Sequence, residues 1–587
     1  MAIIGRDGLK EIQKKQKNLL WVHPNYNSSW CESIIKEFNI HPIIAQVLVS
    51  RGFSTFEDIY HYLYAKLPNL HSPDLFVGMD KAVHRIVRAV HKGEHILIYG
   101  DNDVDGITGT TLLVEFLRKI GAEVYYYIPY RTFSNLSMSD DALKFAILKN
   151  CTLLITVDCA FPSDKGVEKI LNKNIDLIIT DHHEPVEKIP HCIAHLNPKL
   201  SNNSYPNREL TGVGVAFKLA HSIINYLVSE ETISATAIDL KEYLDLVALG
   251  TIADMGALIG ENRILVRYGL KQFANTERIG FLNLMKTCKI KPCSINTFDI
   301  TSKIAPRLNS LGRITDPVKG VEFMLMRDMN KAQYLVKDLE KNNIHRQQIE
   351  RCDTNAAEDF IHNHSQILEN KAIVLHSSTW HPGIISIIAA RISKQYNRPA
   401  LIIAVDNDIG RGSVRTIPEF PILSILRKGS DFLMNFGGHD FAAGFVIKKE
   451  NILKFKKFFI KNANRILHNT DILPKLYLDS RVQFEDLTFE FLDSMQLLEP
   501  HGAGNPPPMF YADVTQIWPP KVVGKMHLKL YLKQNERILE GLGLNLIGQR
   551  TMLNKKDLKL QIAFTPYVNT FLNKSSIQLL IKDIKIK

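Results

Sequence analysis

No stretch of this chain is apolar for long enough to cross a bilayer as a helix. Its first residues, MAIIGRDGLKEIQKKQ, are basic but lack the apolar core of an export signal. A soluble cytoplasmic protein with no membrane partner is therefore expected. There is no Cys-x-x-Cys pair, and the seven cysteines are odd in number and scattered. That excludes a disulfide framework and a zinc ribbon, and it fits a reducing compartment. Internal repeats and low-complexity tracts are absent as well. Acids are the scarcer charge, 61 Asp+Glu against 72 Lys+Arg for a net +11. A basic excess suits a polyanionic partner, although a generally basic proteome would give the same balance. The 45% hydrophobic and 23% charged content is ordinary for a globular protein. At 587 residues the chain is too long for one core, so about two to four domains are expected.

What the chain does have is a run of acids in a telling place. Ile96-Leu97-Ile98-Tyr99 is short and apolar, as a buried parallel strand would be. Leu113, Phe116, Leu117 and Ile120 then recur at helical spacing up to Gly121, a C-terminal stop. Between them stands Gly100-Asp101-Asn102-Asp103-Val104-Asp105-Gly106. Three crowded carboxylates repel one another, and a pair of divalent metals is the natural cationic answer. Further strands are expected at 123–128, 153–157 and 176–180, alternating with helices as in a parallel α/β sheet. Asp158 closes the third strand, Asp181-His182-His183 closes the fourth, and Asp254 ends another apolar segment. Strand ends on the carboxyl side of an open parallel sheet share one crevice. Asp101, Asp103, Asp105, Asp158, His182, His183 and Asp254 can therefore converge from distant positions. Taken alone, Asp158 reads as a helix cap and the paired histidines as solvated. An acid behind each strand in turn argues for a common site. Oxygen-rich ligation with one or two imidazoles favours Mn²⁺ or Mg²⁺ over zinc.

Other segments carry phosphate-binding chemistry. Gly437-Gly438-His439 and Ala442-Ala443-Gly444 leave little bulk around a histidine, so a phosphate can approach backbone N–H groups. A plain tight turn would look the same. Ser413 and Arg415 offer a hydroxyl and a guanidinium at alternate positions, able to grip one phosphate. His381 beside Trp380 is placed to meet a nucleotide or to sit in the core. Residues 330–370 read as a connecting helix, a second α/β segment runs from 372 to about 462, and short strand patterns from about 475 fit a small β-barrel. Lys521, Lys525, His527, Lys529 and Tyr531 fit a basic, aromatic groove for a single strand, or the solvent face of an edge strand.

Gly-Asp-x-Asp-x-Asp-Gly, then Thr156-Val-Asp158, Asp181-His-His183 and Ala253-Asp254 resemble, in order, the DHH phosphoesterase superfamily. Pro306-Arg-Leu-Asn-Ser-Leu-Gly-Arg313, Trp380-His-Pro-Gly383, Arg411-Gly-Ser-Val-Arg415 and Gly437-Gly-His-Asp-Phe-Ala-Ala-Gly444 are similar to its associated substrate-binding domain and the approach to it. Gly502-Ala-Gly-Asn-Pro506 is similar to the entry to the OB-fold of the RecJ single-strand-specific 5′→3′ exonucleases. The resemblance covers roughly residues 75 to 587. It implies an N-terminal extension (1–80), a parallel-sheet DHH catalytic domain (81–329), a connecting helix (330–370), a second α/β DHH-associated domain (371–462) and a C-terminal OB-fold barrel (475–587).

The same resemblance implies a metal-dependent exonuclease of DNA repair and recombination, working on single-stranded DNA from the 5′ end with two Mn²⁺ or Mg²⁺ ions. Asp103, Asp105, Asp158, His182 and Asp254 would be ligands. Asp101 and His183 would complete the second site or meet the scissile phosphate, with Asp181 orienting its neighbours. Arg131, Arg307, Arg313, His381, Ser413, Arg415, Gly438 and His439 would bind substrate, in a cleft too narrow for duplex. A single-strand-binding protein or a helicase is the expected protein partner, and a monomer the expected state. The chain departs from the family pattern at Leu136, where a base-stacking tyrosine is usual, and at Ala160 and Ser386, where glycine is usual. The rival readings are an oligoribonuclease or cyclic-dinucleotide phosphodiesterase of the same superfamily, and a non-catalytic DNA-binding replication factor. The long chain with its barrel argues against the first, and the full set of acids against the second.

Overall fold

A computed structural model describes residues 19–25, 27–129, 140–159, 164–185, 191–234, 236–439, 441–571 and 574–587. The chain divides into two units, one of Lys66–His468 with Gly502–Asn505, the other of Met1–Ala65 with Asn469–His501 and Pro506–Lys587. Among the described residues no helix is long and apolar enough to cross a membrane.

The smaller unit begins with β1 (Leu20–Val22) and three helices, α1 (Ser28–Phe38), α2 (Pro42–Ser50) and α3 (Phe56–Tyr64). Ile34, Ile44, Leu48 and Ile59 from these helices are buried in one core with Phe510, Leu528, Leu560 and Leu579 of the C-terminal strands. Residues 19–65 are thus part of the barrel unit rather than an independent extension, and residues from Lys66 belong to the larger unit. The amphipathic faces of three short helices are too small to form a core alone, and the barrel supplies the missing apolar surface.

In the larger unit β2 (His95–Gly100), β3 (Glu123–Tyr127), β4 (Cys151–Val157), β5 (Asp176–Thr180) and β6 (Ala194–Leu196) form an all-parallel sheet in the order β3-β2-β4-β5-β6. Successive side chains of β2 enter different cores. Ile96 and Ile98 pack on one face with Phe116 and Val213, Leu97 and Tyr99 on the other with Ala142 and Ile170. A strand buried on both faces needs apolar residues at every position, which is why these strands read as unbroken apolar runs. Helix α4 (Val104–Lys119) follows β2, and α5 (Gly212–Ser229) and α6 (Leu244–Ala253) pack beside it.

Helix α7 (Ala305–Ile314) leads towards the long α8 (Met329–Asn363), and a mixed sheet follows. Its strands, β7 (Ile373–Ser377), β8 (Ala400–Asp406), β9 (Ile409–Arg415), β10 (Leu433–His439) and β11 (Ala442–Lys448), lie in the order β10-β11-β9-β8-β7. In the smaller unit the strands β12 (Phe510–Gln516), β13 (His527–Gln534), β14 (Arg537–Gly543), β15 (Leu558–Phe571) and β16 (Lys574–Ile586) close on themselves. The pairings run β12-β15-β16-β14-β13 and back to β12 through Thr515↔Lys533 and Gln516↔Leu532. Five strands closed in this way form the OB-fold architecture.

Candidate metal centre

The centre is built on strand register. Gly100 pairs with Val157, and Val157 with Thr180. Asp101, Asp158 and Asp181 each stand one residue beyond these positions, on three adjacent strands about 4.8 Å apart. Their own N–H groups continue the ladder, to Val157 O (3.1 Å), Thr180 O (3.0 Å) and Leu196 O (3.0 Å) respectively. Three carboxylates are thereby fixed side by side on the carboxyl edge of the sheet. Asp158 sits in the left-handed region at φ 59°, unusual for a residue other than glycine.

Two helix ends complete the array. Asp103 caps α4, its Oδ1 accepting from the N–H groups of Asp105 (2.9 Å) and Gly106 (3.2 Å). Asp105 reaches the start of α5, accepting from Gly212 N–H (2.6 Å) and Val213 N–H (3.0 Å). Asp254 caps the C-terminus of α6, a correction to the expectation that each acid ends a strand. His182 Nε2 lies 3.1 Å from Asp158 Oδ1, 3.7 Å from Asp254 Oδ2 and 3.8 Å from Asp105 Oδ2. His183 Nδ1 is 2.7 Å from Asp181 Oδ1.

Burial and like charge set the electrostatics. Burial, then the Asp103 charge, push Asp105 up to about 7, against the pull of the two amides it accepts from. Burial and the neighbouring acids push Asp158 and Asp254 well above the usual carboxylate range. Burial, then the His183 charge, hold His182 far below the usual histidine range, so its ring is neutral. Burial works against the charges of Asp181 and His183 too, but their ion pair prevails, raising His183 to about 9 and lowering Asp181.

This donor set fits divalent cations. Asp158 Oδ1 is buried with no hydrogen-bond partner, although His182 Nε2 is 3.1 Å away. Such an atom is costly unless something electropositive meets it. Asp105, His182 and Asp254 each offer an atom within 4.8 Å of the others, as do Asp101, Asp103 and Asp158, and Asp158, Asp181 and His183. Hard oxygens with a minority of imidazoles suit Mn²⁺ or Mg²⁺.

Residues 95–251 match the DHH family N-terminal domain, 369–465 the DHHA1 domain and 478–583 the RecJ OB domain. The chain is 32% identical over 559 residues to the single-stranded-DNA-specific exonuclease RecJ of Bacillus subtilis, covering 94% of this chain and 69% of that one. Against the enzyme of the same name from Haemophilus influenzae the identity is 31%, covering 93% and 96%. The chain belongs to the RecJ family. A crystal structure of Thermus thermophilus RecJ with Mn²⁺ superposes with a TM-score of 0.80 at 27% identity, covering 97% of this chain and 79% of that one. The same protein with Mg²⁺ gives 0.75 at 26%, with 97% and 78% covered.

In this RecJ-family chain the expected substrate residues separate into groups. Ser413 and Arg415 remain adjacent, Arg415 Nη1 donating to Ser413 Oγ at 3.1 Å. His439 joins the acids and histidines. Its ring stacks on His183 at 4.8 Å and 19° and lies 5.3 Å from His182. Gly438 adopts φ 146°, where a Cβ would come within 2.3 Å of Ala442 O, so its glycine serves the hairpin. Arg307 is engaged by both oxygens of Glu340, and Arg313 donates to Gly383 O (2.9 Å) and Ser386 Oγ (2.8 Å). Both arginines thus tie helix α7 to its surroundings. His381 accepts from Gly383 N–H on Nδ1 while its own N–H donates to Asp353, and Trp380 is buried. Arg131 and Leu136 lie outside the described residues.

Sequence reasoning missed two positioning residues. Asn309 Oδ1 accepts from Val104 N–H (3.2 Å) and so holds the acid loop. Gly212 lets α5 start directly against Asp158, since a Cβ there would sit 2.5 Å from Asp158 Cβ. Gly212→Ala is expected to displace Asp158 and lower kcat on the order of 10²-fold while the melting profile stays cooperative. Steady-state kinetics with calorimetry on that variant checks it, and an unchanged kcat would refute the packing argument.

Proposed function

We propose that this chain is a divalent-metal-dependent exonuclease that hydrolyses phosphodiester bonds of single-stranded DNA from the 5′ end. The observation that carries the reading is the in-register row Asp101, Asp158 and Asp181, flanked by Asp105, Asp254 and two histidines, in a chain of the RecJ family. Asp103, Asp105, Asp158, His182 and Asp254 would hold the ions, Mn²⁺ or Mg²⁺. Bound there, the pair supplies an activated water and neutralises charge developing at the phosphorus and the leaving oxygen.

The remaining roles follow from the protein's own groups. Asp181 fixes the His183 ring through Nδ1, leaving Nε2 to meet the substrate. Asp101 stands on the same edge two strands away, with Asp158 between them. Ser413 and Arg415 grip a phosphate of the entering strand. On the barrel unit, Trp518 meets the Tyr531 ring edge-on at 5.3 Å, and the ammonium groups of Lys521 and Lys529 lie 5.9 Å and 5.5 Å from that ring. An exposed indole beside a half-buried phenol and two cations suits unpaired bases, because stacking needs no particular sequence. A monomer is sufficient for this chemistry, since one chain provides every group named.

Digestion of 5′- and 3′-labelled single strands, with and without EDTA, tests the proposal. Mononucleotides should leave the 5′-labelled end first, activity should vanish with chelator, and matched RNA should be the poorer substrate. Release from the 3′ end first, or undiminished cutting in EDTA, would be fatal to it.

A further inference from the structure

We propose that Lys199 is a catalytic residue of the centre, its ammonium meeting a non-bridging oxygen of the phosphodiester being cut. This rests on the single-stranded-DNA reading above and adds to it a group that none of the sequence motifs contains. The edge of the parallel sheet leads to it. Leu196 pairs with Thr180, and its carbonyl accepts from Asp181 N–H at 3.0 Å, so Asn197 stands beyond β6 as Asp181 stands beyond β5. The row of strand-end acids therefore runs one strand further and ends in a neutral amide. That amide is fully buried and donates through Nδ2 to the carbonyl of His183 at 2.9 Å. Its Oδ1 accepts from the N–H of Lys199 at 2.9 Å. Arg208 Nη2 donates to the Lys199 carbonyl at 3.1 Å, and Asn203 Nδ2 to that of Asn197 at 2.8 Å. One buried side chain thus ties the backbone of Lys199 to the backbone of His183.

The ammonium lies on the histidine side of the centre. The Lys199 side chain is 13% exposed, and its Nζ is 3.3 Å from Oε1 of Glu184, the residue after His183. Burial is the largest influence on His182, His439 and Asp254, and the Lys199 charge acts on all three as well. Those groups come from the loop after β5, the end of β10 and the end of α6. A charge that reaches all three stands close to the centre itself. An ammonium has three donors, and among the described residues a single carboxylate, Glu184, forms an ion pair with it. Arg307 and Arg313, by contrast, are engaged by Glu340 and by the Gly383–Ser386 turn. An acid at position 197 would hold the lysine much as Asp181 holds His183, whereas the amide leaves the charge for the substrate. Negative charge grows on the phosphoryl oxygens as the bond to the leaving oxygen breaks, and a cation in a part-buried site favours that state over the ground state. The four-carbon stem lets the ammonium move from Glu184 to such an oxygen.

The test compares the parent with Lys199→Gln, Lys199→Arg and Glu184→Gln in single-turnover cutting of a single-stranded oligonucleotide at saturating Mn²⁺. Electron paramagnetic resonance counts the Mn²⁺ bound by each. Lys199→Gln should cut on the order of 10²-fold slower with the parental number of ions bound. Lys199→Arg, which keeps the charge on a different shape, should lose only about 10-fold. Glu184→Gln should stay within about threefold of the parent, since an ion pair this exposed contributes little. A crystal of the parent with a non-cleavable single strand should place Nζ within about 3 Å of a non-bridging oxygen at the centre, which decides the question even where a variant fails to fold. A near-parental rate for Lys199→Gln, or loss of bound Mn²⁺ in step with its rate, would overturn the inference. So would an equal loss in Glu184→Gln, or an ammonium still on Glu184 in that crystal, and each of these leaves the exonuclease reading intact. A parent chain inert on single-stranded DNA would overturn both.

Discussion

Asp158→Ala will lower kcat on single-stranded DNA on the order of 10³-fold or more, without unfolding the protein. Asp158 stands at the middle of the row of three strand-end acids, and its Oδ1 has no hydrogen-bond partner. Removing it takes one donor from the two groups of side chains that it joins, Asp101 with Asp103 and Asp181 with His183. The usual objection to an alanine variant, that it simply fails to fold, is answered by the electrostatics. Burial and four neighbouring carboxylates disfavour the Asp158 charge in the metal-free protein. Deleting that charge relieves repulsion, so the variant in EDTA should melt no lower than the parent at pH 8. Asp158→Asn should lose activity comparably, since it keeps the volume and loses the charge. Single-turnover kinetics over a Mn²⁺ series, with calorimetry alongside, measures both claims. Near-parental turnover would refute the role given to Asp158.

Chelation should have an equally large effect on activity and a pH-dependent effect on stability. In the metal-free protein Asp105 is raised to about 7, and Asp158 and Asp254 are raised as well. A carboxyl raised in the folded state stabilises the fold fully below its unfolded value, near 4. That contribution is lost as pH rises through the folded value. The EDTA-treated protein should therefore lose stability between about pH 4 and pH 7. Cations compete with protons for the same oxygens, so Mn²⁺ should raise the melting temperature much more at pH 8 than at pH 5.5. At 100 times its Kd a single bound ion contributes about 2.7 kcal/mol, a shift of several degrees. Scanning calorimetry at both pH values, with EDTA and with Mn²⁺, reads this directly. An identical Mn²⁺ shift at the two pH values would contradict the cluster's electrostatics.

The legible parts of the site were those where one local rule sufficed. Asp101, Asp158 and Asp181 each follow an apolar run of strand length, and the carboxyl-edge rule for parallel sheets brings them together. Asp254 obeys no such rule. Leu244–Ile252 is buried on every side and is apolar but for Asp245 and Thr251, so the run has no clear period to separate helix from strand. The substrate role expected of Arg307 and Arg313 comes from the family resemblance, whereas their partners Glu340 and the Gly383–Ser386 turn, 33 and more positions away, are visible only in the fold. His439 looked like a phosphate-loop residue since its flanking glycines are visible in sequence, whereas the stack on His183 arises only when the second sheet meets the first. Helices α1 to α3 show amphipathic patterning, which declares a buried face but not that the C-terminal barrel covers it.

Anomalous scattering from crystals grown with Mn²⁺ tests the central claim most directly. Two peaks are predicted in the space enclosed by Asp101, Asp103, Asp105, Asp158, His182 and Asp254, each within about 2.0–2.6 Å of carboxylate oxygens. Crystals of Asp158→Ala should show at least one of them lost. Strong peaks elsewhere in the chain, with that space filled only by water at saturating Mn²⁺, would contradict the account.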